Sequence, residues 1–300
     1  QAAACETANF DLDYTKGPMM LLPHLSKVRS LARLLAARAW LRADQGDAAG
    51  ALADVRAVIR LGRLFEKEPV LISQLVRIAV QAFATLPLQH LLDLPRPEAL
   101  PPDAVAPLVQ ELEAARAGNR TAMVPCADGE RVAFGGVVFE EWLGRRPAKA
   151  TAGMSPDEIG GLLRDRGVRV FVSYPLRPLL KLDYCEYLDI LVGWRHDLEK
   201  PYWELGLGPG VHSALRRVPR WCILTRILAP ALERIPAKAA GGEANLLLAE
   251  MAMALDQHRR VKGQYPADLK DLGLAEAPVD PFTGKGLLYR MFGWMMPRGA

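Results

Sequence analysis

The chain has 300 residues, 50% of them apolar and 24% charged, a composition that excludes intrinsic disorder and collagen-like structure. A chain of this length buries about 75% of its unfolded surface, in one large domain or two smaller ones. Lys and Arg number 38 against 34 Asp and Glu, a net +4 too mild to identify an anionic partner without regard to where the charge lies.

Residues 18–45 read as one helix, because Leu25, Val28, Leu31, Leu34 and Leu35 recur at helical spacing with charges between them. Gly46 suits the left-handed residue that ends a helix, and Asp47 suits the cap of the next. That second helix, 48–66, is expected to bury Leu52, Val55, Val58, Ile59 and Phe65. Glu68-Pro69 opens a third, apolar around most of its circumference through Leu71, Ile72, Leu75, Val76, Ile78, Val80 and Phe83, and therefore central. Pro87 is expected to kink or end it. The uncharged run from Ile78 to Leu92 is too short and too polar to span a bilayer. Between His24 and Arg63 stand eight Lys and Arg against three Asp. The solvated side of a helix pair explains that excess, and nucleic-acid binding through Arg29–Arg63 is not expected.

Four prolines in Pro95–Pro102 make a stiff connector. A helix then runs from Asp103 to about Ala117, with Gly118 as its stop. From Asn119 onwards the pattern weakens, and 119–174 reads as irregular with a short strand at Val168–Val172. Helical periodicity returns at Pro175–Lys200, Pro219–Ile235 and Gly242–Val261, before a turn-rich tail. The expected fold is mainly α, an irregular helical bundle or solenoid-like array with a small C-terminal segment holding a short strand or two. Its parts are an extended segment 1–17, a helical domain 18–118, the irregular 119–174, a second helical domain 175–240, and a C-terminal helix and tail 241–300.

Chemistry-bearing patterns are scarce. The cysteines, Cys5, Cys126, Cys185 and Cys222, form neither a Cys-x-x-Cys pair nor a disulfide framework, so no structural zinc is expected. Ala2-Ala3-Ala4-Cys5 lacks the Leu and the preceding apolar region of a lipoprotein cleavage site. No histidine stands in a paired ligand spacing. Glu186, Asp189, His196 and Asp197 share one arc of the 175–200 helix, but Asp189 and His196 are about 10.5 Å apart along the axis, too far for one metal ion. No serine lies in G-x-S-x-G. Gly206-Leu207-Gly208-Pro209-Gly210 follows no strand, and Gly284-Lys285 lacks the rest of a phosphate loop. Trp194, Tyr202, Trp203 and Trp221 gather near a Pro/Gly-rich turn, as packing or as an aromatic pocket. The Arg-rich stretch from Leu215 to Lys238 reads as an amphipathic helix whose basic side is an ordinary exposed face, or else rests on an anionic membrane surface or a partner.

Two segments resemble known families. Ala39, Gly46, Ala51 and Val55 stand where a tetratricopeptide hairpin has its small, turn, small and bulky residues. In that family the first helix lines a peptide-binding groove, which implies Arg33, Ala36, Trp40, Ala43 and Asp44 as groove-facing positions. One period of about 34 residues beyond Gly46-Asp47 stands Val80-Gln81, so the hairpin is expected to pack singly on other helices. Near the C-terminus, Leu246, Leu247, Leu248, Met251 and Leu255 precede Gly263-Gln264-Tyr265-Pro266, Leu269, Leu272, Pro278-Val279-Asp280-Pro281, Gly284 and Leu287-Leu288-Tyr289. This is similar to the soluble part of type II secretion pseudopilins, although their prepilin cleavage motif and N-terminal apolar spine are missing from these residues. Taken whole, the chain resembles bacterial envelope-type helical proteins of uncharacterised role. Gly17-Pro18, Leu21-Leu22-Pro23-His24-Leu25, Glu68–Leu75 and Asp280–Lys285 carry that resemblance.

The resemblances imply a cell-envelope setting, membrane-anchored or periplasmic, and a protein partner. They also imply association with membrane or secretion machinery through an anchor outside this chain. The expectation is a non-enzymatic helical protein making protein–protein contacts through Arg33, Trp40, Asp44, Trp194, Trp203 and Tyr265, with no catalytic, cofactor or metal residues assigned. The alternative is a hydrolase or lyase with a carboxylate/His site on the 175–200 helix.

Overall fold

The computed structural model describes residues 8–95, 100–143, 177–205, 216–273 and 277–290. It is mainly helical, and among these residues there is no strand. Near the N-terminus, Phe10 stacks on His24 at 4.2 Å, and a 3₁₀ turn spans Tyr14–Met19. Helix α1 then covers Pro23–Asp44, beginning five residues later than the expected start at 18, at a proline in its first turn. Its end is as expected. Gly46 takes φ 80°, the Asp47 N–H donates to the Arg42 carbonyl at 2.9 Å, and the Gly46 N–H donates to the Ala43 carbonyl at 3.1 Å.

Asp47 then caps α2, Ala48–Arg63, accepting from the Gly50 N–H at 2.8 Å. Asp47→Ala is therefore expected to lower stability by about 1 kcal/mol, read as a shift of the urea midpoint at unchanged slope.

Helix α3, Leu71–Asp93, occupies the centre as its composition predicts, in contact with α1, α2 and the long C-terminal helix. It continues past Pro87 instead of ending there. Beyond the proline, Leu88 and Leu91 are buried between neighbouring helices, and that burial outweighs one lost backbone hydrogen bond. By length and composition α3 could cross a membrane, yet half of its apolar window is buried inside this fold. Helix α4, Pro102–Thr121, likewise passes through its expected stop at Gly118, whose carbonyl accepts from the Arg77 guanidinium at 2.9 Å.

The segment after α4 is more regular than its sequence suggests. Helices α5, Val124–Gly129, and α6, Gly135–Trp142, are joined by a π turn at Glu130–Phe134. The glycines that blur the periodicity admit neighbours instead of breaking the helix. A β-carbon at Gly135 would lie 2.2 Å from the Tyr187 ring, and one at Gly129 would lie 1.6 Å from the Pro69 carbonyl oxygen. The expected strand at Val168–Val172 lies outside the described residues.

Helix α7, Arg177–Leu198, matches its expected span, and the short α8, Tyr202–Leu205, follows. The basic stretch before residue 238 is divided rather than continuous. It comprises α9, Ile223–Leu228, a 3₁₀ turn at Ala229–Arg234, and the first turn of α10, Ile235–Lys262. Helix α10 joins what the sequence reads as separate helices, because Gly241-Gly242 lies within it. A β-carbon at Gly242 would come within 2.8 Å of Ile78, so the missing side chain lets α10 approach α3 closely. Gly263, at φ 76°, ends α10. In place of the expected C-terminal strands there is one antiparallel bridge, Val279 to Gly286, around a turn held by Asp280.

The helices form two cores. In the first, α1, α3 and α10 lie side by side and parallel, since Arg33 meets Phe83 and Trp40 meets His90, while Ile78 meets Gly242 and Leu92 shares a cleft with Leu255. Helices α2 and α4 back this layer and run the other way, as Arg42 meets Gly50 and Arg38 meets Asp54, while Arg116 meets Glu250 and Asn119 lies beside Gly242. The second core gathers Phe139, Tyr187, Trp194, Leu198 and Cys222 from α6 to α9 and their links.

Candidate functional site

The groove follows from how α1 settles against its neighbours. Leu25, Ala32, Ala39 and Ala43 are the buried residues of α1, and beyond its first turn small side chains let the helix settle against α2 and α3. Leu31 and Leu34, expected in the core, face outwards instead, with Leu34 69% exposed. The side of α1 next to α3 then forms a groove of about 440 Å³, lined by Arg33, Ala36, Ala37, Trp40, Leu41 and Asp44 from α1 and by Phe83, Leu86 and Pro87 from α3. Its interior is apolar. Trp40 and Leu86 remain 42% and 60% exposed, which for large side chains in a concavity marks a surface suited to another molecule.

The ends of the groove are charged and fixed. At one end the Arg33 guanidinium lies over the Phe83 ring, 5.3 Å from its centre. At the other, His90 stacks on Trp40 at 3.9 Å and 8° and reaches Asp44 Oδ1 through Nε2 at 2.6 Å. Trp40 is thus held by a ring on one face and presents the other.

Four of the positions implied by the tetratricopeptide resemblance, Arg33, Ala36, Trp40 and Asp44, line this groove, while Ala43 belongs to the core. The α3 wall is not marked as a groove by the sequence: Phe83 reads as core and Pro87 as a helix breaker, and the exposure of Leu86 depends on a rotation of α3 that its all-round apolarity hides. Tyr265 is elsewhere, in a cleft of about 470 Å³ on the opposite flank of α3, where Arg259 lies 5.1 Å from its ring centre.

Of the two remaining tryptophans, Trp194 is a correction. Trp194 is enclosed in the second core and presents nothing to a partner. Trp203 packs against the C-terminal loop, so closely that a β-carbon at Gly284 would lie 2.7 Å from it, and neighbouring Tyr202 meets Phe282 edge-on at 5.4 Å. Those aromatics join chain segments.

The carboxylate/His cluster on α7 does not converge. His196 is 66% exposed beside Glu199 at 3.7 Å, and Asp189 is exposed. The nearby buried carboxylate is Asp183, which accepts from the Leu224 and Thr225 N–H groups at 2.9 and 3.1 Å and so caps α9. Among the described residues, no three His, Cys, Asp or Glu side chains stand close enough to hold a metal. Cys126 is a buried thiol pushed up to about 12 by desolvation, an inert state for a nucleophile.

Most arginines of the α1–α2 pair are engaged internally. Arg38 and Arg42 bind the buried Asp54 carboxylate at 2.6 and 3.1 Å. Arg56, Arg60 and Arg63 converge on Glu111 at 3.6, 3.4 and 2.8 Å. A phosphate-binding surface needs those cations unpaired.

No protein-family model, no curated protein and no solved structure matches this chain.

Proposed function

We propose that the protein is a non-enzymatic helical scaffold that holds a helical polypeptide segment in the groove between α1 and α3. The observation that carries this reading is the groove itself, an apolar channel with outward Trp40, Leu41 and Leu86 between a fixed cation and a fixed anion. Helix-in-groove recognition needs apolar anchors at successive turns with polar ends that fix the register, and Arg33 and Asp44 supply those ends. Parallel α1, α3 and α10, backed by α2 and α4, are read as a short solenoid-like array with residues 122–234 inserted before its last helix. A bacterial envelope setting is part of the proposal and rests on the residue pattern from Gly263 to Tyr289.

A photo-crosslinking residue at Leu86 tests it in the native host. The expected result is a polypeptide adduct that Trp40→Glu abolishes and that a label at exposed Val192, on α7, does not form. Equal labelling at both positions, or none at Leu86, would overturn the reading. Recovery of the adduct from the membrane or periplasmic fraction is the expected outcome for the envelope setting, and recovery from the cytoplasm alone contradicts it.

A further inference from the structure

We infer that the segment held in the groove is α1 of a second copy of this chain, packed antiparallel across a two-fold axis between Arg38 and Ala39. This rests on the reading of the groove as a polypeptide docking surface and names its occupant. Any continuous stripe on a helix can face its own reversed copy. Whether the residues then match is particular to the sequence.

Each lining residue of α1 would meet the one equally distant from the axis. Arg33 then meets Asp44 of the second copy, Ala36 meets its Leu41, and Ala37 meets its Trp40, and the two-fold repeats all three contacts in reverse. Every pairing is complementary, cation to anion once and small to large twice. An interface of this isologous kind requires one patch to fit itself, and three matches among three pairs meet that requirement.

Three further observations point the same way. Arg33 and Asp44 are both on the surface, with the Asp44 side chain 48% exposed, so each can reach a partner without breaking a buried contact. Because α1 and α3 run parallel, a helix entering between them antiparallel sets its dipole against both. Leu41 and Leu86 line the same channel and stand exposed in the monomer, so docking covers apolar surface otherwise left to water. Alanines at the crossing allow the close helix approach seen within the monomer at Ala39.

The test is sedimentation equilibrium on the purified full chain, with circular dichroism melting as the check on folding. Wild type is expected to be a dimer. Arg33→Asp and Asp44→Arg are each expected to weaken it about tenfold or more by placing like charges together. The double variant, Arg33→Asp with Asp44→Arg, is expected to recover most of that loss, because the swapped pair is again opposite in sign. Ala37→Trp, which fills the socket for Trp40 of the partner, is expected to give a monomer that still melts cooperatively, at a temperature that no longer rises with protein concentration. A monomeric wild type at its highest soluble concentration overturns the inference, as does a double variant no better than the singles. If that monomer still forms a Leu86 adduct with a different polypeptide, the docking groove stands and its self-occupancy falls. If it forms none, both fall.

Discussion

Arg77→Met is expected to make the protein more stable, by on the order of 2 kcal/mol, seen as a higher urea midpoint at unchanged slope. Arg77 lies in the second turn of α3 with no solvent exposure. One guanidinium nitrogen donates to the Gly118 carbonyl at 2.9 Å, while Nε and the other terminal nitrogen have no hydrogen-bond partner. Burial pushes this guanidinium down to about 10, against the pull of nearby Glu66. That depression measures how poorly the charge is solvated, since each pKa unit corresponds to about 1.4 kcal/mol. Methionine keeps the apolar stem and fills similar space. The Gly118 carbonyl keeps a donor in the Ala122 N–H at 3.0 Å, so the substitution orphans nothing. A loss of stability of comparable size would mean that Arg77 is solvated by a strong contact and that its charge supports the fold.

A second large effect concerns pH. Glu130, in the π turn between α5 and α6, accepts a hydrogen bond from the Leu71 N–H, but desolvation dominates and raises its carboxyl from the ordinary 4.5 to about 7. The unfolded chain releases this proton near 4.5, whereas the folded chain holds it until about 7. Glu130 therefore contributes most stability below pH 4.5, and that contribution is lost as pH rises through the window to 7. For a partly buried group the loss is about 2 kcal/mol. Glu250 is raised in the same direction by burial beside Arg116, so the comparison must be between proteins rather than between pH values alone. Thermal melts from pH 5 to pH 8 are expected to fall for wild type more steeply than for Glu130→Gln, with the variant the more stable at pH 8. Parallel curves would contradict the assignment.

Both residues sit where sequence patterns carry little information. Arg77 looks like an interruption in an apolar helix, and only the packing of α2, α4 and α10 around α3 makes it a buried cation. Ser73, Gln74 and Gln81 share its buried flank of α3, each with an unpaired side-chain atom, and they too look like ordinary surface polars in the sequence. Local signals were legible where the physics is local. Gly46 and Asp47 end one helix and cap the next through backbone geometry and a side chain three residues away. Gly263 closes α10 in the same manner.

Signals that depend on distant neighbours failed. Gly118 looks like a helix stop and Gly242 like a helix start, and Gly135 blurs the periodicity around it, yet all three serve close approach, to Arg77, Ile78 and Tyr187. Pro87 looks like a break but lies in a helix held on both sides. On α1 the periodicity points correctly to Leu25, Val28 and Leu35, which are buried or pack on the first core, but Ala32, Ala39 and Ala43 take the innermost positions while Leu31 and Leu34 turn outwards. Half of the groove was nevertheless visible. Arg33, Trp40 and Asp44 share a face by helical spacing alone, while the α3 wall required the fold. Trp194 shows the opposite case, an aromatic that the sequence offers as a ligand contact and the second core encloses.

The most direct measurement is the site of photo-crosslinking from Leu86, mapped by mass spectrometry on the full chain. The groove reading predicts an adduct within a helical polypeptide segment, and the self-docking inference places it in residues 33–44 of a second copy. No adduct at Leu86, or a yield there no greater than at Val192, would contradict the claim that the α1/α3 groove is a docking surface.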